Sequence, residues 1–214
     1  MLDKILSDVQ QQVETGIYIL KQGGIVAFPT DTVYGLGACA NIPKAVEHVY
    51  QVKERPQNMA LPLLLAHTSQ ISEVAEFVPQ VAWLLADKFL PGALTIVLYK
   101  AKSVPDIITA GGRTVAVRVP AHPVPVALVQ GLGAPVVGTS ANLSGEPSAL
   151  TAGEVYSQFG DNIDLVIDGG RCPGGRESTI VDVTGEVPVV LREGAISREE
   201  LQRVCGEIVF REGD

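Results

Sequence analysis

Ile5, Val9, Val13, Ile17 and Leu20 recur at helical spacing with polar residues between them, and Gly23-Gly24 closes the segment. That pattern predicts an amphipathic first helix beginning at Leu2. The apolar run Gly24-Ile25-Val26-Ala27-Phe28-Pro29 is short enough for a buried strand. Ala45, Val46, Val49 and Tyr50 mark a second helix, opened by Pro43 and stopped by Pro56. Residues 61–66 predict another buried strand, and helical patches over 71–77 and 81–90 are separated by Pro79. Further on, 93–99 and 114–119 are β-branched runs, 124–130 a short helix and 134–139 a buried strand. A helix over 153–159 precedes three strands at 165–167, 178–183 and 187–191. The last helix opens at Ser197-Arg198-Glu199-Glu200, where Ser197 and Glu200 form a capping box. Strands that alternate with helices early and bunch late predict an α/β fold. We expect a single domain over 1–214, with a twisted, mixed parallel/antiparallel sheet flanked by helices.

Charge and composition narrow the function classes. The 214 residues hold 16 Lys and Arg against 24 Asp and Glu, a formal net charge of −8, with 46% hydrophobic residues. Disorder is excluded as the default state. The acidic balance argues against broad nucleic-acid binding, although a local basic pocket can sit inside an acidic shell. Cys39, Cys172 and Cys205 are odd in number and in no metal-ligand spacing, as free thiols of a reducing compartment would be. His48, His67 and His122 are equally scattered, so no metal site built from protein side chains is expected. Asp3, Asp8 and Glu14 in the first helix are unlike a signal peptide, and no apolar run reaches membrane-spanning length. A cytoplasmic address without membrane association is the expectation.

No phosphate loop of the G-x-x-x-x-G-K-[ST] type and no G-x-G-x-x-G after a strand is present. Gly138-Thr139-Ser140-Ala141-Asn142 nearly spells a nucleophile elbow, but Asn142 stands at the closing glycine, which leaves a serine hydrolase as a distant alternative. Several polar groups sit where strands or helices end. Thr30-Asp31-Thr32 leaves the first strand, in position to meet a ligand at the sheet edge or to stabilise a turn. Lys53 and Arg55 flank the exposed end expected of the second helix, where Pro56 frees both to face one anion or simply to complement the helix dipole. Ser140 and Asn142 follow the 134–139 strand, suited to phosphate oxygens or to a helix cap. Arg118 lies inside an apolar strand, on the face it shares with Ala116, and needs an anion from a ligand or from the protein. The glycine-rich stretch 169–179 and Arg192 pose the same choice between an anion cradle and a corner.

Their combination and order are more specific than any one of them. Pro29-Thr30-Asp31-Thr32-Val33-Tyr34-Gly35-Leu36-Gly37, Lys53-x-Arg55-Pro56, Pro91-Gly92-Ala93-Leu94-Thr95, Val115-Ala116-Val117-Arg118-Val119-Pro120, Ser140-Ala141-Asn142, Glu177-Ser178-Thr179-Ile180 and Leu191-Arg192-x-Gly194 resemble the YrdC-like family over residues 24–194. That resemblance implies a threonylcarbamoyl-AMP synthase, which joins L-threonine, bicarbonate and ATP, with magnesium, and releases pyrophosphate. The product would pass to partners that modify an adenosine beside the tRNA anticodon. By motif, Lys53, Arg55, Ser140 and Asn142 would form the catalytic signature around the nucleotide. Arg55, Met59, Thr114, Ser140, Ser148 and Arg192 fall where the nucleotide is held, and Thr32, Arg118, Gly138 and Ser178 where threonine is held. Met59-Ala60-Leu61 replaces the Asn-Pro-Leu of many relatives, so a contact at Met59 would use its backbone or its thioether. Two alternatives accompany this reading. One is a carbamoyl-adenylate-forming paralogue like the corresponding module of HypF, whose further domains this chain has no room for. The other is an RNA-binding or ribosome-associated module without catalysis.

Overall fold

The computed structural model describes residues 2–210, with side chains described from Asp8 onward. Helix α1 (Leu2–Lys21) is the predicted amphipathic helix, and the Ile5 part of its pattern lies outside the described side chains. Two short strands follow, β1 (Val26–Phe28) and β2 (Gly35–Cys39), then α2 (Pro43–Val52) and β3 (Leu63–Leu64). Next come α3 (Ile71–Val74), α4 (Gln80–Phe89), β4 (Leu94–Tyr99) and β5 (Thr114–Arg118). The second half holds α5 (Pro123–Leu132), β6 (Val136–Ser140), α6 (Ala152–Phe159), β7 (Leu165–Val166), β8 (Thr179–Asp182) and β9 (Val189–Arg192). It ends with α7 (Arg198–Cys205) and β10 (Val209–Phe210).

All ten strands form one sheet in the order β10-β9-β8-β4-β5-β3-β6-β2-β1-β7. Pairing is mixed as expected: β4 runs parallel to β8 but antiparallel to β5, and β3 runs parallel to β5 but antiparallel to β6. Three elements differ from the pattern-based expectation, one of them β10, which has no counterpart among the predicted strands. Residues 35–39 form a strand rather than part of a turn, because β1 folds straight back on β2 with Phe28 opposite Gly35. A Cβ at Gly35 would stand 2.8 Å from the Phe28 ring, so the glycine that disguises the strand is what lets the ring pack. The helix predicted over 71–77 is only four residues long, preceded by a 3-10 turn at 68–70. The capping box at Ser197 is present, with the Ser197 hydroxyl accepting from the Glu200 amide and the Glu200 carboxylate accepting from the Ser197 amide.

The two faces of the sheet are covered unequally. One face carries the main core, in which Leu63, Ile96, Leu98, Val115, Val117 and Val137 meet α2, α4, α6 and α7. On the other face α1 and α5 cover only part of the sheet, packing Val13, Leu20, Leu128 and Val129 over Val26, Phe28, Leu64 and Val136. The remainder of that face is left open, and the cleft forms there. Within the sheet, a Cβ on Gly37 would meet Val136 Cγ1 and the Val137 carbonyl at 2.6 Å. Gly37→Ala should therefore destabilise the protein by about 2 kcal/mol through overpacking. Gly153→Ala meets nothing within 4 Å, and as a helix residue it should gain about 0.5–1 kcal/mol. Urea unfolding of the two variants checks the contrast; equal stabilities would contradict the tight β2–β6 seam.

Candidate functional site

Strand periodicity places the cleft floor. Thr95 and Val97 on β4, and Thr114, Ala116 and Arg118 on β5, point to the open face, while Val115 and Val117 point into the core. Leu64 from β3, Gly138 and Ser140 from β6, Gly35 from β2 and Ile180 from β8 complete the floor of a cavity of about 480 Å³. Its ends are closed by the link between β1 and β2 (Thr30, Thr32), by Arg55 beyond α2, and by Glu177, Ser178, Leu191 and Arg192 around β8 and β9. Eight of the residues singled out from the sequence line it: Thr32, Arg55, Thr114, Arg118, Gly138, Ser140, Ser178 and Arg192.

Arg118 is 8% exposed and shares the cleft face with Ala116, as the strand spacing predicts. It also has a protein carboxylate. Nη2 donates to Asp31 Oδ1 at 2.7 Å, Nη1 to Thr32 Oγ1 at 3.0 Å and Nε to the Gly92 carbonyl at 3.0 Å. A guanidinium has five N–H groups, so among the described residues one on each terminal nitrogen is left without a partner. That is the number a bidentate carboxylate requires. Burial pulls the Arg118 pKa down and Asp31 opposes it. Beside it lies a hydroxyl network: Thr30 Oγ1 and Thr32 Oγ1 are 3.0 Å apart, and Thr95 Oγ1 and Ser178 Oγ are 2.8 Å apart.

At the other end Arg55 and Arg192 line the cavity together, and the Arg192 charge acts on Arg55. The Arg55 pKa is lowered by its burial first, raised by Tyr50, then lowered by Arg192 and raised by Glu177. The Arg55 guanidinium is steered by the Met59 carbonyl (3.3 Å) and the Ala60 carbonyl (3.0 Å). Arg192 donates to the Ser178 carbonyl through Nε (3.2 Å) and Nη2 (2.9 Å), and Nη1 is ion-paired with Glu177.

Four of the expected residues stand behind the cavity wall. Lys53 is the main correction: it is 1% exposed, not at an exposed helix end, and does not share a target with Arg55. The helix stops as expected, with Lys53 as C-cap, but Glu54 then takes φ +52° and the Arg55 amide bonds back to the Tyr50 carbonyl at 2.9 Å. A non-glycine residue there carries strain of about 1–2 kcal/mol, and the kink sends the two cations in different directions. Lys53 Nζ donates to the Ser140 carbonyl at 2.5 Å and to the Asn142 carbonyl. Asn142 is buried, and its amide donates to the carbonyls of Leu143 (2.9 Å) and Glu146 (2.7 Å). Met59 is 47% exposed and reaches the site only through its carbonyl, which also accepts from Tyr50. Ser148 Oγ donates to Glu177 Oε1 at 2.9 Å.

Sequence reasoning quoted Asp31, Glu177 and Thr95 inside motifs without giving them roles. Asp31 was legible in type, because a buried arginine demands a carboxylate, but not in place, because Thr-Asp-Thr leaves β1, which is separated from β5 by three strands in the sheet. Nothing local marks Glu177 or Thr95. Among the described lining residues there is no histidine to serve Ser140 as a base, which removes support for the hydrolase alternative.

An open mixed sheet whose uncovered face holds two basic ends joined by an apolar and hydroxyl-lined floor defines an α/β binding site for an extended anionic ligand. The chain belongs to the Sua5/YciO/YrdC family: the family model, described as "Telomere recombination", matches residues 18–194. It is 43% identical over 189 residues to a Pyrococcus abyssi protein named threonylcarbamoyl-AMP synthase, covering 88% of this chain and 56% of that one. It is 37% identical over 195 residues to a Mycobacterium tuberculosis protein named putative threonylcarbamoyl-AMP synthase, covering 91% and 89%. The structure of Pyrococcus abyssi Sua5 complexed with L-threonine superposes with a TM-score of 0.91 at 41% identity, covering 93% of this chain and 58% of that one. The chain thus spans a little over half the length of the Pyrococcus relative. Among the described residues no helix is long and apolar enough to cross a membrane.

Burial, and then Arg55, lower the Lys53 pKa from 10.5 to about 8, with Glu177 opposing. Between those pH values the unfolded chain holds the extra proton, so this group makes stability rise with pH from about 8 to 10.5 and leaves it flat below. Lys53→Met should lose that slope. It should also cost about 1–3 kcal/mol at neutral pH, because two buried carbonyls lose their donor. Denaturant titrations of both proteins from neutral pH upward measure it; parallel curves would place the proton elsewhere.

Proposed function

We propose that this chain makes threonylcarbamoyl-AMP from L-threonine, bicarbonate and ATP. The observation that carries the reading is Arg118: a buried guanidinium on the cleft floor with one uncommitted N–H on each terminal nitrogen, ringed by hydroxyls. It fits the carboxylate of a small hydroxy-amino acid, with Thr32 and Ser178 beside its amine and hydroxyl and the Gly138 backbone below. Arg55 and Arg192 at the far end suit phosphates, with Thr114 and Ser140 on the floor between.

In this reading the threonine amine adds to the carbon of bicarbonate with loss of water, giving a carbamate. A carbamate oxygen then forms a bond to the α-phosphorus as the bond to the bridging oxygen breaks and pyrophosphate leaves. The side chains position two anions and neutralise charge on the departing phosphates. Lys53 contributes by fixing the carbonyls of Ser140 and Asn142, which sets the shape of the floor where β6 ends. Magnesium would arrive on the nucleotide, held mainly by its phosphates and water, with Glu177 as the carboxylate of the lining nearest that end. Bound there, magnesium would spread the phosphates' negative charge. The labile product passes, in this proposal, to the tRNA-modifying threonylcarbamoyl-transfer machinery in the cytoplasm.

Pyrophosphate release should require ATP, threonine and bicarbonate together. A rate unchanged when threonine or bicarbonate is left out would sink the assignment. Arg118→Lys keeps the charge but loses the planar fork, so the threonine needed for half-maximal rate should rise by about tenfold or more while the ATP requirement stays put. An unchanged threonine dependence in a folded Arg118→Lys protein would remove Arg118 from the substrate site.

A further inference from the structure

Ser148, just outside the cavity lining, and Arg192, within it, come from different parts of the chain and end on the same carboxylate of the cleft wall. Glu177 Oε1 accepts from Ser148 Oγ at 2.9 Å, and Oε2 is ion-paired with Arg192 Nη1. The backbone beneath Glu177 is locked. Its carbonyl accepts from the Ala195 amide at 2.9 Å, and a Cβ on Gly194 would stand 2.3 Å from it. The side chains of Glu177 and Arg192 are 33% and 42% exposed, so their pairing adds little to stability. What the carboxylate does instead is organise donors. A carboxylate facing a guanidinium can only accept, so it accepts the hydrogen bond of the Ser148 hydroxyl and leaves that oxygen's lone pairs for a ligand. Ser148 is thereby an acceptor, matched to a ribose hydroxyl or an amino group rather than to a phosphate oxygen. Arg192 has its Nε and Nη2 donors on Ser178 and one Nη1 donor on Glu177, leaving a single Nη1 hydrogen without a partner among the described residues.

We propose that Glu177 is a positioning residue for the nucleotide: it fixes Ser148 as an acceptor and holds the Arg192 guanidinium against the cleft wall. The inference rests on the ATP-binding part of the function above and gives a role to a motif residue that the sequence reading left without one. Its effect falls mainly on ATP, because the Asp31–Arg118–Thr32 contacts at the other end do not involve Glu177, and Ser178, which Arg192 also touches, keeps its own bond to the Thr95 hydroxyl.

Calorimetric titration of ATP and of L-threonine into the parent chain, Glu177→Gln, Ser148→Ala and the double variant tests it. Glu177→Gln should weaken ATP binding by about tenfold and leave threonine binding within about twofold, since a lost charge-assisted contact is worth a factor of that order. In the Ser148→Ala background the same change should weaken ATP by clearly less, because the two share a contact. Should Glu177→Gln misfold, Glu177→Asp draws the carboxylate back and should show the same selective loss. Unchanged or tighter ATP binding in a variant that melts like the parent would overturn the proposal, as it would mean that the carboxylate competes with phosphates for Arg192. Equal losses for both ligands would overturn it too, by making the role structural. A parent chain that binds threonine but no ATP would fail the nucleotide reading itself.

Discussion

A guanidinium buried in the middle of a sheet has to be neutralised where it stands, and the cleft is arranged around that requirement. Removing a charge from water costs several kcal/mol unless partners replace the hydration. Arg118 draws its partners from two segments: Asp31 and Thr32 from the β1–β2 link, and Gly92 from the turn before β4. Asp31 is anchored in turn by the Ala121 amide at 3.0 Å, and Thr32 by the Thr30 hydroxyl at its own amide, also 3.0 Å. Each bond in such a chain polarises the next in a low-dielectric setting. The cation therefore ties the loops that wall the cleft to the strand that floors it, while leaving two donors for a ligand.

The second constraint is the border between the covered and open parts of the same sheet face. Leu64 belongs to the cluster under α1 and α5 and also lines the cleft, beside Arg118 in register. Its side chain occupies the space over Gly138, where a Cβ would come within 2.6 Å of it. Glycine at 138 is thus a shape requirement before it is a contact: a methyl there would push Leu64 toward the cavity and narrow the floor. Behind β6, Lys53 performs the matching task for polarity by satisfying two carbonyls where the strand ends.

Periodicity made most of the fold legible, because long helices and β-branched strands follow from burial of one face. It failed at β2, where Gly35 and Gly37 hide a strand whose neighbours supply the bulk, and at β10, whose two residues pair only with β9. In the site, ordered motifs collected eight residues onto one cavity, although no single motif could separate a ligand contact from a turn or cap. Lys53 shows the boundary of such reading. A cation at a helix end before proline looks exposed, and only the left-handed turn at Glu54 reveals that it points inward. Glu177 shows the other boundary, since its partners come from residues 148 and 192, and no local pattern encodes that meeting.

Net charge and site charge point in opposite directions, and distance decides between them. The chain carries −8 overall, whereas the cleft presents Arg55, Arg118 and Arg192 with Glu177 as the carboxylate on its wall. At physiological ionic strength exposed charges are screened beyond about 8 Å, so acidic residues outside the cleft do not cancel the cations inside it. A small anion that reaches the walls meets guanidiniums in a partly dry setting, where each interaction is stronger than at the surface. Asp31 contributes to this setting, because it holds Arg118 in the floor and leaves one N–H on each terminal nitrogen without a partner among the described residues.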